Sequence, residues 1–227
     1  MNNYSILKKS PLFKGIDEQE IAEMTKCLSA ETRKFRKGET IFRIGDKTDN
    51  LGVVLNGKLL LSRDDFWGNQ NIINEVSEGM VFCGSYACIH GKSIDMNVIA
   101  REDTTVIFFN VERVITVCPS SCTFHTRLIH NLLSVLAQKN LNMFEKINHI
   151  TQRTTREKLL SYFLTQAVRH NSNEFSISFN RQQLADYLAV ERSAMSAELS
   201  KMKSDNIIDY HKNHFILKTT ELIKQDN

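Results

Sequence analysis

FNRQQLADYLAVERSAMSAELSKM, residues 179–202, carries two apolar periodicities separated by a turn. Asn180, followed three residues on by Gln183, is the pattern of a helix start in which each side chain caps the other's backbone N–H. Leu184, Tyr187 and Leu188 form the inward face of this first helix, and Ala185 is small enough for a second helix to cross closely. The LAVE segment turns the chain, with Val190 as the apolar plug of the corner. Met195, Leu199 and Met202, at intervals of four and three, give the second helix one buried stripe. Its opposite face carries Ser193, Ala197 and Ser200, flanked by Arg192, Ser196 and Lys203. Glu191 stands where Ser, Thr, Asp or Asn caps best, which places the start of this helix at Arg192 to within one residue.

One bracing helix and one helix with an outer face of short side chains are the parts of a helix-turn-helix, whose second helix lies in the DNA major groove. An ordinary amphipathic pair needs neither the small crossing residue nor the short outer side chains. IIDYHKNHFIL, residues 207–217, reads as two short strands about a Lys212-Asn213 turn, a wing beside the pair. Arg192, Ser193, Ser196 and Ala197 are expected to face base edges, and Arg153, Arg181, Lys201 and Lys203 to serve phosphates. Residues 151–227 carry 11 Lys and Arg against 9 Asp and Glu, so binding depends on where the cations are placed rather than on bulk charge.

Upstream the chain is built differently. All nine glycines lie between Gly15 and Gly91, where short apolar runs are cut by turns: TIFRI, LGVVLNGKLLL, NIINEVSEGMVF, VIARE and TTVIFFNV. Asn56-Gly57, between two such runs, is a hairpin signal, because both residues tolerate positive φ. Short strands of this kind predict an antiparallel roll. From Pro119 the period changes: Ile129, Leu132, Leu136, Met143 and Ile150 form a heptad seam, interrupted by Lys139 and Lys146, on a helix of about 30 residues. So long a helix outruns a small roll, which favours a parallel dimer over packing within one chain. TQRTTREK, residues 151–158, is the expected hinge. The predicted fold is α+β: a jelly-roll-like, double-stranded antiparallel β-roll over 1–118, a dimerisation helix over 119–150 and a winged helix-turn-helix over 151–227.

At 227 residues and 41% hydrophobic content the chain suffices for two small domains, and its net charge of +3 is modest. There is no run of about 18 apolar residues, and MNNYSILKKS lacks the apolar stretch of a signal peptide, so a soluble cytoplasmic protein without a membrane partner is expected. Five cysteines without a CxxC pair indicate reduced thiols rather than a disulfide framework or zinc knuckle. No His-x-His, G-x-S-x-G or P-loop occurs, which argues against an enzyme.

A glycine-punctuated roll, a long helix and a winged helix-turn-helix, in that order, resemble the Crp/Fnr family of bacterial transcription regulators. The resemblance runs from about Leu12 to Leu217 and rests on KGETIFRIGD (37–46), VVLNGKLLLSR (53–63), EGMVFCG (78–84) and, above all, residues 179–202. It implies a homodimer on a two-fold symmetric double-stranded DNA site, contact with RNA polymerase, and an effector or redox event in the roll. It also places Arg192 at the family's helix-start arginine, Ser193 where the cyclic-AMP-responsive branch has glutamate, and Ala197 where that branch has arginine. Alanine cannot make the bidentate guanine contact, so the half-site should differ from that branch's.

The segment GSYACIHGKSIDMN, residues 84–97, matches the family's cyclic-nucleotide phosphate loop. There Gly84-Ser85 replaces Gly-Glu, and Ile94-Asp95-Met96 replaces Arg-Ser-Ala. The ribose-binding carboxylate and the phosphate-binding arginine are both missing, Asp95 would repel a phosphate, and Lys92 is a flexible point charge rather than a fork. The degenerate pocket of Gly84, Ser85, Cys88, Lys92, Ile94 and Asp95 is therefore not expected to take cyclic AMP. No cofactor and no metal are expected, an unidentified small-molecule effector being the only ligand implied. The alternative is a haem- or thiol-based gas or redox sensor using Cys88 with His90, or Cys118 with Cys122.

Overall fold

The computed structural model describes residues 3–64, 70–116 and 123–218. It divides into two compact units, residues 1–138 and 139–227, and the division falls within one long helix.

In the first unit, α1 (Asn3–Lys9), a 3-10 turn (Pro11–Phe13) and α2 (Glu18–Cys27) precede the strands. These are β1 (Glu31–Phe35), β2 (Thr40–Phe42), β3 (Asn50–Asn56), β4 (Leu59–Asp64), β5 (Gln70–Val76) and β6 (Val81–Phe82). After α3 (Gly84–Ala87) come β7 (Asn97–Ala100), β8 (Thr104–Asn110) and α4 (Val111–Ile115), then α5 (Thr123–Ile150). Two four-stranded antiparallel sheets result, β1-β8-β3-β6 and β2-β7-β4-β5.

The near-continuous apolar runs of β3 and β8 follow from burial on both faces. Leu51, Val53, Leu55, Ile107 and Phe109 point to a cluster with α1, α2 and the first turns of α5, while Val54, Val106 and Phe108 point between the sheets. Gly52 lies under the Phe82 ring, where a Cβ would come within 2.3 Å of it.

Asn56-Gly57 is not a hairpin, contrary to the sequence expectation: β3 and β4 belong to different sheets. The turn is a corner between sheets. Gly57 (φ 84°) is packed so closely on the Asp103–Thr104 backbone that a Cβ would lie 2.7 Å from the Asp103 carbonyl oxygen. Thr104 Oγ1 accepts from Lys58 N at 3.2 Å, fastening the two corners together.

Two residues of the seam expected on α5, Leu132 and Leu136, face the roll instead. Leu132 is buried in the roll's own cluster and Leu136 packs against it, because Asn131 Nδ2 donates to the carbonyls of Leu12 (3.0 Å) and Lys14 (2.9 Å) and turns that face inward. The large apolar residues left exposed on the helix are Leu133, Leu141, Met143, Phe144 and Ile147.

The second unit continues with α6 (Thr155–His170), β9 (Glu174–Ser176), α7 (Arg181–Tyr187), α8 (Arg192–Ser204), β10 (Ile208–His211) and β11 (His214–Leu217). α5 stops at Ile150 and α6 starts after Thr154, which forms a capping box with Glu157, so the polar 151–154 stretch is the break. The strands form a small antiparallel sheet, β10-β11-β9, about the Lys212-Asn213 turn. Phe163, Phe175 and Phe215 pack together at its centre, with centroids 4.5–6.3 Å apart.

Candidate nucleic-acid interface

Asn180 and Gln183 cap α7 reciprocally, each side chain accepting from the other's backbone N–H at 2.9 Å. Leu184, Ala185 and Leu188 are fully buried, and the chain turns through Ala189 in the left-handed region (φ 50°). Lys158 Nζ donates to the carbonyls of Leu188 (3.4 Å) and Ala189 (3.3 Å) at the exposed end of that turn. Met195, Leu199 and Met202 bury the inner stripe of α8, as their spacing requires.

Glu191 is itself the cap of α8 and fixes the helix start that the sequence left open by one residue. Its longer side chain folds back, Oε1 accepting from Ser193 N (3.2 Å) and Oε2 from Ala194 N (3.1 Å) and from the Ser193 hydroxyl. These bonds, the Ser193 hydroxyl first, hold its carboxyl below the usual range. α8 therefore begins at Arg192.

The outer face of α8 is exposed at Arg192, Ser193, Ser196, Ala197, Ser200 and Lys201. The hydroxyls of Ser196, Ser200 and Ser204 donate to carbonyls four residues back, at 2.9, 3.1 and 3.1 Å. Side chains so folded stand low on the helix, which suits close approach to a groove floor.

The cations divide into two groups. Arg156 is fixed by Glu198 (2.5 Å) and Asp205 (2.7 Å), and Lys203 pairs with Asp209 (2.6 Å) while lying over the Tyr210 ring. Arg181 stacks its guanidinium on Tyr210 (4.8 Å) and Phe215 (5.1 Å), and burial there pushes its pKa down. Arg153, Arg192, Lys201 and Lys212 are exposed and make no ion pair among the described residues.

In the roll, Cys83 enters α3 with left-handed backbone (φ 55°), Gly84 is buried and Ser85 is exposed. Ile94 is buried between the sheets with Phe82 and Phe108, and its backbone pairs with Asp46 O and Gly45 N at 2.8 Å. Phe108 meets Phe35, Phe42 and Phe82 edge-on at 6.0–6.5 Å, so aromatic rings fill this space. Asp95 accepts from the Tyr86 hydroxyl, a partner the sequence reading missed because nothing in the spacing joins the two; burial first, then Asp95, pushes the Tyr86 pKa up to about 12. Lys92 is exposed. His90 is fully exposed, 3.9 Å from Asp49; Cys88 is exposed as well, and partial burial of its thiol pushes its pKa up. Cys118 and Cys122 lie outside the described residues. Among the described residues no three His, Cys, Asp or Glu side chains are grouped to hold a metal, and no helix is long and apolar enough to cross a membrane.

Comparison with known proteins agrees with this geometry. Residues 32–121 match the cyclic nucleotide-binding domain and residues 157–225 the Crp-like helix-turn-helix domain. No relative was found among curated proteins. Among solved structures, OCPA-complexed CprK (C200S) is similar at 16% identity and a TM-score of 0.66, with 92% of this chain and 93% of that one covered. FixK2 from Bradyrhizobium japonicum is similar at 17% identity and a TM-score of 0.50, covering 86% and 95%. The c-di-GMP responsive regulator CLP of Xanthomonas campestris is similar at 14% identity and a TM-score of 0.55, covering 90% and 100%. With a cyclic nucleotide-binding-type roll and a Crp-like reading head in one chain, this protein belongs to the Crp/Fnr family of DNA-binding transcription regulators, which are not enzymes.

Proposed function

We propose that the protein is a cytoplasmic homodimer that reads a two-fold symmetric DNA site and acts on RNA polymerase there, without responding to cyclic AMP. The observation that carries the reading is α8: a fully buried inner stripe beneath an exposed face of short side chains that starts with an unpaired Arg192. Arg192, Ser193, Ser196 and Ala197 face the bases. Arg153 and Lys201 serve phosphates; Arg181 and Lys203 lie on the same unit but are committed to the wing, and contribute less.

Dimerisation is supported by the exposed stripe on α5. Leu133, Ala137, Asn140, Phe144 and Ile147 recur at intervals of four and three, about one residue round the helix from the seam expected at Leu132 and Leu136. Asn140 in such a seam favours two parallel strands in one register.

Insensitivity to cyclic AMP is supported by Ile94 and the phenylalanines filling the roll, and by Asp95 where a phosphate would need a cation. The thiol or haem reading through Cys88 and His90 gains no support, since His90 has only the Asp49 carboxylate near it, at 3.9 Å, and no three His, Cys, Asp or Glu side chains are grouped among the described residues.

Fluorescence anisotropy with a duplex selected by the protein from a randomised pool, and with a scrambled one, tests this. Arg192→Ala should reduce specific binding by roughly 1–3 kcal/mol and leave nonspecific binding nearly unchanged. Equal losses on both duplexes would exclude Arg192 as a base reader. Cyclic AMP added at millimolar concentration should not alter either affinity, and tightening on the specific duplex would overturn that part of the reading.

A further inference from the structure

The N-terminus of α8 is already occupied by a carboxylate of this chain. In a groove-reading helix the first backbone N–H groups are free to hold a DNA phosphate. Here those of Ser193 and Ala194 donate to Glu191, as does the Ser193 hydroxyl. A phosphate brought to this end would meet a second anion rather than a donor.

Glu191 is nevertheless exposed, and its pKa is lowered, so it stays ionised at neutral pH. A carboxylate offers about four acceptor positions. Three are used internally, two on Oε2 and one on Oε1, which leaves an acceptor on Oε1. Over residues 191–197, Glu191 and Arg192 are the charged residues, adjacent and opposite in sign. The only DNA groups that welcome an ionised acceptor in the major groove are exocyclic amines, and the cytosine N4 amine is the usual partner of a carboxylate there.

Resting on the reading that α8 enters the major groove, we propose that Glu191 is a specificity-determining residue, its Oε1 accepting from a cytosine N4 amine beside the base pair read by Arg192. The cap holds the carboxylate in place and the remaining acceptor reads the base. Capping and recognition thus come from one side chain, and both depend on the Ser193 hydroxyl, which steadies the Oε2 side.

The test is selection of the full-length dimer's site from a randomised duplex pool, followed by affinities on every single-base variant of the selected half-site. It uses wild type, Glu191→Asn, Glu191→Asp and Arg192→Ala. Asparagine caps at least as well as glutamate but removes the charge, and aspartate keeps both cap and charge on a side chain one methylene shorter. Wild type should prefer C·G by about tenfold at one position adjacent to the one relaxed by Arg192→Ala. Glu191→Asn should reduce that preference to within about twofold and bind nonspecific duplex as well as or better than wild type, a change that loss of a cap alone does not produce. Glu191→Asp should stay folded, keep nonspecific affinity at the wild-type level and lose part of the preference.

An unchanged base profile in Glu191→Asn, or an affinity loss by one factor on every duplex, reduces Glu191 to a cap and overturns the proposal. So does a wild-type preference for adenine at that position. If Arg192→Ala also leaves the profile unchanged, the failure lies in the groove reading itself.

Discussion

Ala189 turns the chain between α7 and α8 at φ 50°, where glycine is unstrained and an L side chain costs on the order of 1 kcal/mol. The position faces the Lys158 ammonium at its carbonyl but needs no methyl group for the core. Ala189→Gly should therefore stabilise the chain by about 0.5–1 kcal/mol in urea unfolding, strain relief exceeding the added freedom of the unfolded chain. Destabilisation of that size would show that the methyl packs against something. A second residue carries a pH dependence. His149 is buried between Tyr162 (5.7 Å) and Tyr187 (6.2 Å), with Nδ1 on Ser161 Oγ at 2.8 Å and no hydrogen bond to Nε2. Burial pushes its pKa down; Glu145, 3.7 Å away, opposes this, while Arg169, paired with Glu145 at 2.6 Å, adds to it. Tyr162, pushed up to about 12 chiefly by burial, stays neutral throughout. With the folded pKa below the unfolded value of about 6.5, the unfolded chain binds more protons in that window. The stability from neutral His149 is thus complete above about pH 6.5 and is lost as pH falls below it. Unfolding free energy measured between pH 7 and pH 5 should fall more steeply for wild type than for His149→Gln, and parallel curves would refute the assignment.

At the scale of elements, caps were legible and partners were not. The Asn180–Gln183 box and the buried stripe of α8 can be read from residue types and intervals because both depend on contacts within one or two turns. Glu191 left the start of α8 open by one residue because cap preferences rank residue types, whereas a flexible glutamate can fold back to accept from Ser193 and Ala194. Asn56-Gly57 announced a turn correctly, but the choice between hairpin and corner is made by Asp103 and Thr104, nearly fifty residues away. α5 is the clearest case. Its sequence supports two apolar series, one through Leu132 and Leu136 and one through Leu133, Phe144 and Ile147, and periodicity does not say which neighbour covers each. Burial separates them: Leu132 is 2% exposed and Phe144 60%. Phe144→Glu should accordingly convert dimer to monomer in sedimentation equilibrium with helical content kept. Leu132→Ala should cost about 2–5 kcal/mol of stability while the dimer persists at concentrations where the protein is folded. The reverse pattern would restore the seam first expected.

For the molecule as a whole, the order of roll, long helix and winged head was legible because glycine use and hydrophobic period both change once along the chain. Which cations remain for DNA was not, since that depends on partners brought together by folding. The 11 Lys and Arg after residue 150 include six engaged within the second unit, Arg156, Lys158, Arg169, Arg181, Lys203 and Lys218. Arg153, Lys201 and Lys212 are exposed, and on the reading proposed above they are the cations available to phosphates, with Arg192 directed to a base. Three phosphate contacts per protomer give six for a dimer, and at about 0.9 counterion per contact the slope of log affinity against log salt should be about −5. Lys201→Ala should flatten this slope by about 2, one contact from each protomer, and lower affinity alike on specific and nonspecific duplex. Lys203→Ala should leave it nearly unchanged, because its ammonium is neutralised by Asp209 at 2.6 Å. A wild-type slope steeper than about −8, flattened equally by the two variants, would mean that DNA draws Lys203 away from Asp209, and the wing would then be part of the phosphate contact rather than its support.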